Sequence, residues 1–242
     1  ALSAALFFGQ TAVAEEKAAE EVKPSHVEMV LVLDESGSMS DLTRDTIGGF
    51  NSMIEKEKKL DVDAHVTTVL FNDQYKMLYN RRELKDVSKM TDKDYTPGGM
   101  TALLDAVGRT IHKMDMVAGI HRKDKGNKVL FVIITDGEEN DSKEYTYADV
   151  KKLIKDRQEN AGWEFIFLGA NIDAAAAAEN LGIDRDRAVK YKNTGSGVRA
   201  NFKAVAELSD SLAKSGRVSD RWKETVEKDE DDAADIQSAA VT

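Results

Sequence analysis

Oxygen-bearing side chains follow a short apolar run near the start of the chain. Residues 27–33 are mostly Val, Leu and Met, and Asp34, Ser36 and Ser38 come next at alternate positions. Gly37 permits backbone conformations that other residues resist, so one loop can turn the three oxygens toward one point. Oxygen ligands suit a hard cation such as Mg2+. The spacing therefore indicates a divalent-cation site, although serine and aspartate also occur in ordinary turns.

Other polar residues stand where further elements are predicted to end or begin. Residues 27–33 have the composition of a strand buried on both faces, and residues 128–135 form a similar run that ends on Asp136. Ligands of open α/β sheets bind beyond the carboxyl ends of the strands. Pro97 and two glycines force a loop, after which Thr101 opens a predicted helix. The Thr101 hydroxyl is expected to cap that helix, to bind an ion, or to do both.

At these residues the sequence resembles the von Willebrand factor type A (vWA) family, whose metal-ion-dependent adhesion site combines Asp-x-Ser-x-Ser with a distant Thr and a distant Asp. The matching residues, in order, are Asp34, Ser36, Ser38, Thr101 and Asp136. The resemblance covers roughly residues 27–214. It implies that these residues bind Mg2+, with Mn2+ or Ca2+ as alternatives, and that a partner protein supplies an Asp or Glu carboxylate. The partner is then expected to contact the loops around Gly37, Met39, Gly99, Met100, Gly137 and Glu138.

Strands and helices alternate along the chain, which predicts an α/β fold with right-handed crossovers. Strands are predicted at residues 27–33, 62–71, 75–79, 128–135, 163–168 and 189–191, and helices at 41–60, 101–117, 147–160, 174–180 and 197–214. Together with the resemblance, the pattern predicts a doubly wound, mostly parallel central sheet with one antiparallel edge strand and helices on both faces, a Rossmann-like vWA fold. Gly48 and Gly49 inside the first helix indicate close packing there, which is expected to be against a strand.

The ends of the chain differ in composition from its middle. Residues 1–14 are apolar and end in Ala-Val-Ala, which resembles the remnant of a secretory signal peptide with its cleavage site. Export to the periplasm or the exterior is therefore favoured, with an Ala-rich tail on a cytoplasmic protein as the alternative. Residues 15–26 are predicted to be a linker, residues 27–214 the vWA domain, and residues 215–242 an acidic polar tail.

Charge and composition narrow the classes of partner and of chemistry. The formal net charge of −10 argues against nucleic acid as the main partner. There is no cysteine for a disulfide or a thiolate zinc site, and the apolar N-terminal run is too short to span a membrane. The four histidines, His26, His65, His112 and His121, are interpreted as structural or surface residues, because none has a second histidine near it in sequence or a catalytic context.

The leading hypothesis is a non-enzymatic, divalent-metal-dependent protein-binding module used for adhesion or as an adaptor. One alternative is a Mg2+-dependent phosphohydrolase with Asp34 as the nucleophile. Such an enzyme needs a second acid two residues later as general acid and base, and Ser36 stands there instead. Another alternative is an adaptor for a AAA-type ATPase or a stress-response complex.

Overall fold

The computed structural model describes residues 26–117, 127–219 and 221–228. Within these ranges six strands form one sheet. They are β1 (His26–Asp34), β2 (Ala64–Phe71), β3 (Tyr75–Glu83), β4 (Asn127–Thr135), β5 (Glu164–Gly169) and β6 (Ala188–Lys190). Their spatial order is β3-β2-β1-β4-β5-β6, and only the edge strand β3 runs antiparallel to its neighbour. The predicted fold class is confirmed.

Helices cover both faces of this sheet. They are α1 (Thr43–Lys59), α2 (Leu103–Asp115), α3 (Tyr147–Asp156), α4 (Ala174–Leu181) and α5 (Gly195–Ser215). Because side chains alternate along a strand, Met29 and Leu31 of β1 join the core beneath α1 and α5. Val30 and Val32 join the core on the other side, beneath α2, α3 and α4. Both faces of β1 are therefore buried, as its continuous apolar sequence predicts.

The glycine pair in α1 lies at a close helix contact. A Cβ on Gly49 would stand 2.5 Å from Cδ2 of Phe202, which belongs to α5. The predicted close packing is therefore present, but the neighbour is a helix rather than a strand. Phe50 also packs edge-on against Phe202, which fixes how α1 and α5 cross.

Two predicted element boundaries differ from the structure. Helix α2 begins at Leu103, with Ala102 at its N-cap and no capping side-chain hydrogen bond, so the prediction that Thr101 caps it is wrong. Strand β3 continues to Glu83, four residues beyond the predicted end at Tyr79. The prediction stops short because the pairing of β3 with β2 passes through register shifts. Such bulges interrupt the alternation of side chains and hide a strand from pattern analysis.

The packed core extends past the predicted end of the domain at Lys214. Val218, Trp222 and Val226 are buried and belong to the core cluster beneath α1 and α5. The Thr225 hydroxyl donates a hydrogen bond to the Glu207 carboxylate of α5 at 2.7 Å. The three residues recur every four positions, as on one helix face, but they stand in a short, charged stretch, which explains why this segment resembles a tail in composition.

Several predictions concern residues outside the described ranges: the signal-peptide remnant at 1–14, most of the linker, His121 and the far end of the acidic tail. Among the helices that are described, none combines the length and the apolar character needed to cross a bilayer.

Candidate functional site

Two of the predicted ligands meet where neighbouring strands end. Strands β1 and β4 pair in parallel, Asp34 is the last residue of β1, and Asp136 directly follows β4. Both aspartates are almost fully buried, with 1% and 2% of their surface exposed. The two carboxylates therefore face a common point at the carboxyl edge of the sheet, where open α/β folds place their ligands.

A chain of short contacts connects the serines of the loop after β1 to Asp136. The Oγ atoms of Ser36 and Ser38 are 3.1 Å apart. The Ser38 hydroxyl donates to Oδ1 of Asp136 at 2.5 Å. Four of the five predicted metal ligands are thus brought into one group, because the Ser36 amide also donates to Oδ1 of Asp34 at 2.7 Å.

Two residues that sequence reasoning missed hold Asp34 in place. The Thr135 hydroxyl donates to Oδ2 of Asp34 at 2.6 Å, and the Tyr95 hydroxyl donates to the Asp34 carbonyl at 2.6 Å. With the Ser36 amide on Oδ1, both carboxylate oxygens of Asp34 accept a hydrogen bond. Thr135 was detectable in principle, since it precedes Asp136 at the end of a strand, whereas Tyr95 comes from an irregular loop that carries no pattern.

Asparagines from two further loops surround Asp136. Asn171, which follows β5, donates through its side chain to the Asp136 carbonyl at 3.3 Å. Asn193, which follows β6, has its amide nitrogen 3.5 Å from Oδ2 of Asp136. Each lies just beyond the carboxyl end of a strand, which is the one signal that could have identified them from sequence.

The site concentrates negative charge without an internal cation. Burial, helped by the nearby charge of Asp136, raises the pKa of Asp34 above its ordinary value, against the hydrogen bonds that it accepts. Burial and the same two carboxylates also raise the pKa of Tyr191. Among the described residues, neither aspartate pairs with a lysine or arginine, and Lys76 is instead 3.7 Å from the Glu35 carboxylate.

The loop that carries Thr101 is fastened to both other loops of the site. The Gly98 amide donates to the Glu35 carbonyl at 2.9 Å, and the Gly37 amide to the Gly99 carbonyl at 3.2 Å. Thr101 donates its amide to the side-chain oxygen of Asn140 at 2.8 Å. The structure thus brings the three predicted loops together.

Thr101 itself faces the loop that follows β4. Its Oγ1 lies 3.8 Å from the position that a Cβ on Gly137 would occupy, so Gly137 leaves room beside the hydroxyl. Thr101 is buried, and its hydroxyl is not used as the cap of α2. That hydroxyl therefore remains available to the neighbouring aspartate site.

The predicted partner-contact loops form an accessible rim, with one exception. Gly37, Gly99 and Glu138 are exposed, and Met100 has 51% of its surface in solvent. Met39 is different, because its side chain is 2% exposed and packs into the core beneath α1. At this position the side chain anchors the loop, and contact by the loop itself remains a prediction.

The acidic stretch after Asp136 is used to fold the loop. The Glu139 carboxylate accepts hydrogen bonds from the amides of Leu104, Asp141 and Ser142. Asp105 accepts three backbone amides from residues 143–145, which lower its pKa although burial acts to raise it. These acids stabilise the loop beside the site as hydrogen-bond acceptors.

The chemistry of the converging donors fits a hard divalent cation. All are carboxylate or hydroxyl oxygens, the class of ligand that Mg2+, Mn2+ and Ca2+ prefer. Two buried carboxylates, with no side-chain cation paired to either in the described part of the chain, form an unbalanced charge that such an ion neutralises. The hydroxyls add oxygens without adding charge.

A protein-family model matches most of the part of the chain that carries this site. The model matched is vWA-TerF-like, described as the vWA found in the TerF C terminus, and the match covers residues 26–183. The matched range contains all five predicted ligands. Comparison with curated protein sequences gives no significant match.

Solved structures share the fold at low sequence identity. The vWF domain of the type V pili tip protein Mfa5 from Porphyromonas gingivalis aligns with a TM-score of 0.55 and 12% identity, over 81% of this chain and 99% of that one. The open conformation of the pilus adhesin SpaC from Lactobacillus rhamnosus GG gives 0.61 and 14%, over 80% of this chain and 31% of SpaC.

A third similar structure is the PilB minor pilin from Streptococcus sanguinis, with a TM-score of 0.56 and 13% identity over 84% of this chain and 67% of PilB. The von Willebrand factor type A protein from Catenulispora acidiphila gives 0.52 and 15% over 76% and 43%. This chain therefore spans less than half of some of the proteins whose fold it shares.

Proposed function

The chain belongs to the vWA-TerF-like family, and from that premise we propose that it is a non-enzymatic protein-binding module whose contact with its partner depends on a divalent cation. The ion, for which Mg2+ is the first candidate, is held by Asp34, Ser36, Ser38, Thr101 and Asp136. The partner contributes an Asp or Glu carboxylate. One observation carries the proposal: two buried aspartates end neighbouring strands and are linked through Ser36 and Ser38, with no lysine or arginine paired to either among the described residues.

The residues have distinct tasks in this proposal. Thr135 and the Ser36 amide orient the Asp34 carboxylate, while Ser38 and Asn193 approach the two oxygens of Asp136. Serine and threonine hydroxyls add oxygens without charge, so the two aspartates at most neutralise the ion, and an open coordination position would accept an oxygen ligand from outside. A carboxylate is the protein side chain that combines a negative charge with a preferred oxygen donor.

The surface around the site suits a protein partner. Gly37 and Gly99 expose backbone, Met100 exposes a flexible apolar side chain, and Glu138 adds a charge at the edge. A methionine in such a place adapts to different partner surfaces. The shared fold with domains of a pilus adhesin and of pilins supports binding as the activity, for adhesion or for an adaptor role in a larger assembly such as a AAA-type ATPase complex.

The first test is metal binding by the purified full chain. Mn2+ is titrated and followed by its electron paramagnetic resonance signal, with Mg2+ as competitor. One ion should bind per chain, and Asp136→Ala should weaken binding at least a hundredfold. Asp92→Asn removes an exposed acid elsewhere and serves as the matched control. Equal affinity in the wild type and the Asp136→Ala variant would show that these residues do not hold the ion.

The second test concerns the partner. Immobilised wild type should retain a protein from an extract of the native cells in Mg2+ and release it in EDTA, while Asp136→Ala retains nothing. Alanine substitution of one acidic residue in the captured protein should then abolish binding. Retention that is unchanged in EDTA contradicts the proposal. Turnover of p-nitrophenyl phosphate with Mg2+ would favour the hydrolase alternative instead.

A further inference from the structure

A second group of potential ligands lies at the opposite edge of the sheet. His26 and Glu28 stand two residues apart on β1, and β2 pairs in a register that puts His65 beside Glu28. All three side chains project from the same face. Six residues of extended strand separate Glu28 from Asp34, which corresponds to about 20 Å. The group is thus independent of the oxygen site.

The three side chains present one atom each to a common point. Nε2 of His26 is 2.9 Å from Nδ1 of His65 and 3.3 Å from Oε1 of Glu28. The remaining distance, from Nδ1 of His65 to Oε1 of Glu28, is 3.2 Å. Ligands bound to a tetrahedral Zn2+ at 2.0–2.2 Å lie about 3.3–3.5 Å apart. The triangle therefore has nearly the size that one zinc ion requires.

A supporting hydrogen bond of the kind found around zinc is already in place. Nδ1 of His26 is 2.9 Å from Oδ1 of Asp63. A carboxylate only accepts, so this nitrogen carries the proton and directs Nε2 toward the triangle. Metal-bound histidines commonly donate their second N–H to a carboxylate in this way.

Access from solvent comes through a surface depression of about 470 Å3 that His26, Asp63 and His65 help to line. Glu28 lies deeper, with 3% of its side chain exposed, whereas the side chains of His26 and His65 are 18% and 27% exposed. An ion can therefore reach the two imidazoles from outside and complete its shell with water at a fourth position.

A cationic side chain of the protein, that of Arg81, contacts two of the three ligand groups in the structure. Arg81 donates to both oxygens of Glu28, and its Nη2 is 3.2 Å from Nδ1 of His65. Arg81 has a positive φ of 46° at the irregular part of β3, which turns its side chain toward Glu28. The hydrogen bond to Glu28 raises the pKa of His26, with a smaller contribution from Asp63 and against the effect of burial.

We infer that His26, Glu28 and His65 form a site for a transition-metal ion of the Zn2+ class, with three protein ligands and one open position. Two imidazoles and one carboxylate suit Zn2+ and related ions, and do not suit Mg2+. Binding displaces Arg81 from Oε1 of Glu28 and releases to solvent any proton on Nε2 of His26. The ion then supplies the positive charge that Arg81 otherwise provides.

The test uses the full chain without a histidine tag, at pH 7.5. Co2+ should bind at one equivalent and show the visible absorption of a four-coordinate ion, and Zn2+ should displace it. His65→Gln and His26→Gln should each weaken Zn2+ binding at least tenfold, as measured by competition with a chromogenic chelator. His112→Gln, which alters an exposed histidine of α2, is the matched control and should change nothing.

Two further variants make the test specific. Arg81→Gln removes the competing cation and should tighten Zn2+ binding about tenfold, while Asp136→Asn at the oxygen site should leave it unchanged. Circular dichroism confirms that each variant is folded. Absence of stoichiometric Co2+ binding by the wild type, or full affinity in both histidine variants, would overturn the inference. Unchanged affinity in Arg81→Gln would overturn the displacement of Arg81.

Discussion

Each end of β1 carries a buried carboxylate, and the surroundings of the two carboxylates differ in charge. At the amino end, Glu28 is surrounded by Arg81, His26 and His65, and these partners hold its pKa at about 2 although burial acts to raise it. At the carboxyl end, Asp34 has hydroxyl and amide donors but a second carboxylate as neighbour, and its pKa is raised by burial. The first arrangement is balanced within the chain. The second has no paired side-chain cation among the described residues, which is why we propose an ion there.

The largest expected effect on stability comes from removing the charge of Glu28, which its neighbours balance. Glu28→Gln leaves Arg81 and His26 facing a neutral amide in a buried place, and we expect a loss of about 3 kcal/mol in the free energy of unfolding at pH 7. Urea denaturation measures it, with Glu55→Gln on the exposed side of α1 as control. A change below 0.5 kcal/mol, on the order of a surface substitution, would mean that the amino end is not balanced by these contacts.

Acid should remove the same contribution from the wild type. The pKa of Glu28 falls from 4.5 in the unfolded chain to about 2 in the folded protein, so its stabilisation is complete above pH 4.5 and disappears between pH 4.5 and 2. The full shift is worth about 3 kcal/mol. Denaturation as a function of pH should therefore show a shallower acid decline in Glu28→Gln than in the wild type, and parallel curves would contradict the assignment.

A third buried carboxylate extends the comparison, because neither charged groups nor hydrogen bonds do much to compensate for its burial. Glu57 of α1 is fully buried and accepts one hydrogen bond from Ser209 at 2.7 Å. Its Oε1 has no hydrogen-bond partner within the described part of the chain. Burial raises its pKa from 4.5 to about 7. The folded state binds the extra proton between these values, so this group costs stability as the pH rises from 4.5 to 7.

Glu57→Gln should therefore stabilise the protein by about 2 kcal/mol at pH 8 and change little at pH 4. Thermal or urea denaturation at the two pH values measures the difference. Ser209→Ala provides a complementary control, because it removes the donor and should destabilise the protein most at high pH. Equal effects of Glu57→Gln at both pH values would show that Glu57 does not titrate in this window.

The smallest expected effect tests the unbalanced end. Without divalent ions, Asp136→Asn removes one of two neighbouring charges and should stabilise the protein by about 1 kcal/mol. In saturating Mg2+ the order should reverse, because only the wild type gains stability from the ion. Thermal denaturation in EDTA and in Mg2+ gives both values. Destabilisation by Asp136→Asn in EDTA would mean that the repulsion is already compensated.

The buried strands and the polar residues at their ends are the parts of this molecule that local sequence pattern predicts. The apolar runs of β1 and β4 and the polar residues that end them are visible in sequence, which puts Asp34 and Asp136 at the carboxyl ends of two strands. That these strands are neighbours is implied by the vWA resemblance rather than by the pattern, and the structure has them so. The loop residues Ser36 and Ser38 follow from their spacing. Their role as metal ligands remains a prediction.

The amino-terminal cluster depends on register and on a bulge, which a single sequence does not show. His65 has no second histidine near it in sequence, but it has one near it in the fold, since parallel pairing brings the ring centroids of His26 and His65 to 4.7 Å. Arg81 reaches Glu28 through an irregular part of β3 that disrupts alternation. Tyr95 and Asn193 reach the other site from loops, where position is set by tertiary packing.

The burial of Trp222 has a practical consequence for anyone who shortens this chain. The family match ends at residue 183, yet the face of the sheet beneath α1 is closed by α5 and by the segment that carries Trp222 and Val226. A fragment cut at 183 would expose that face to water and is expected to aggregate, and a cut at 214 would expose the apolar surface that Val218, Trp222 and Val226 cover. Expression boundaries should lie beyond residue 228.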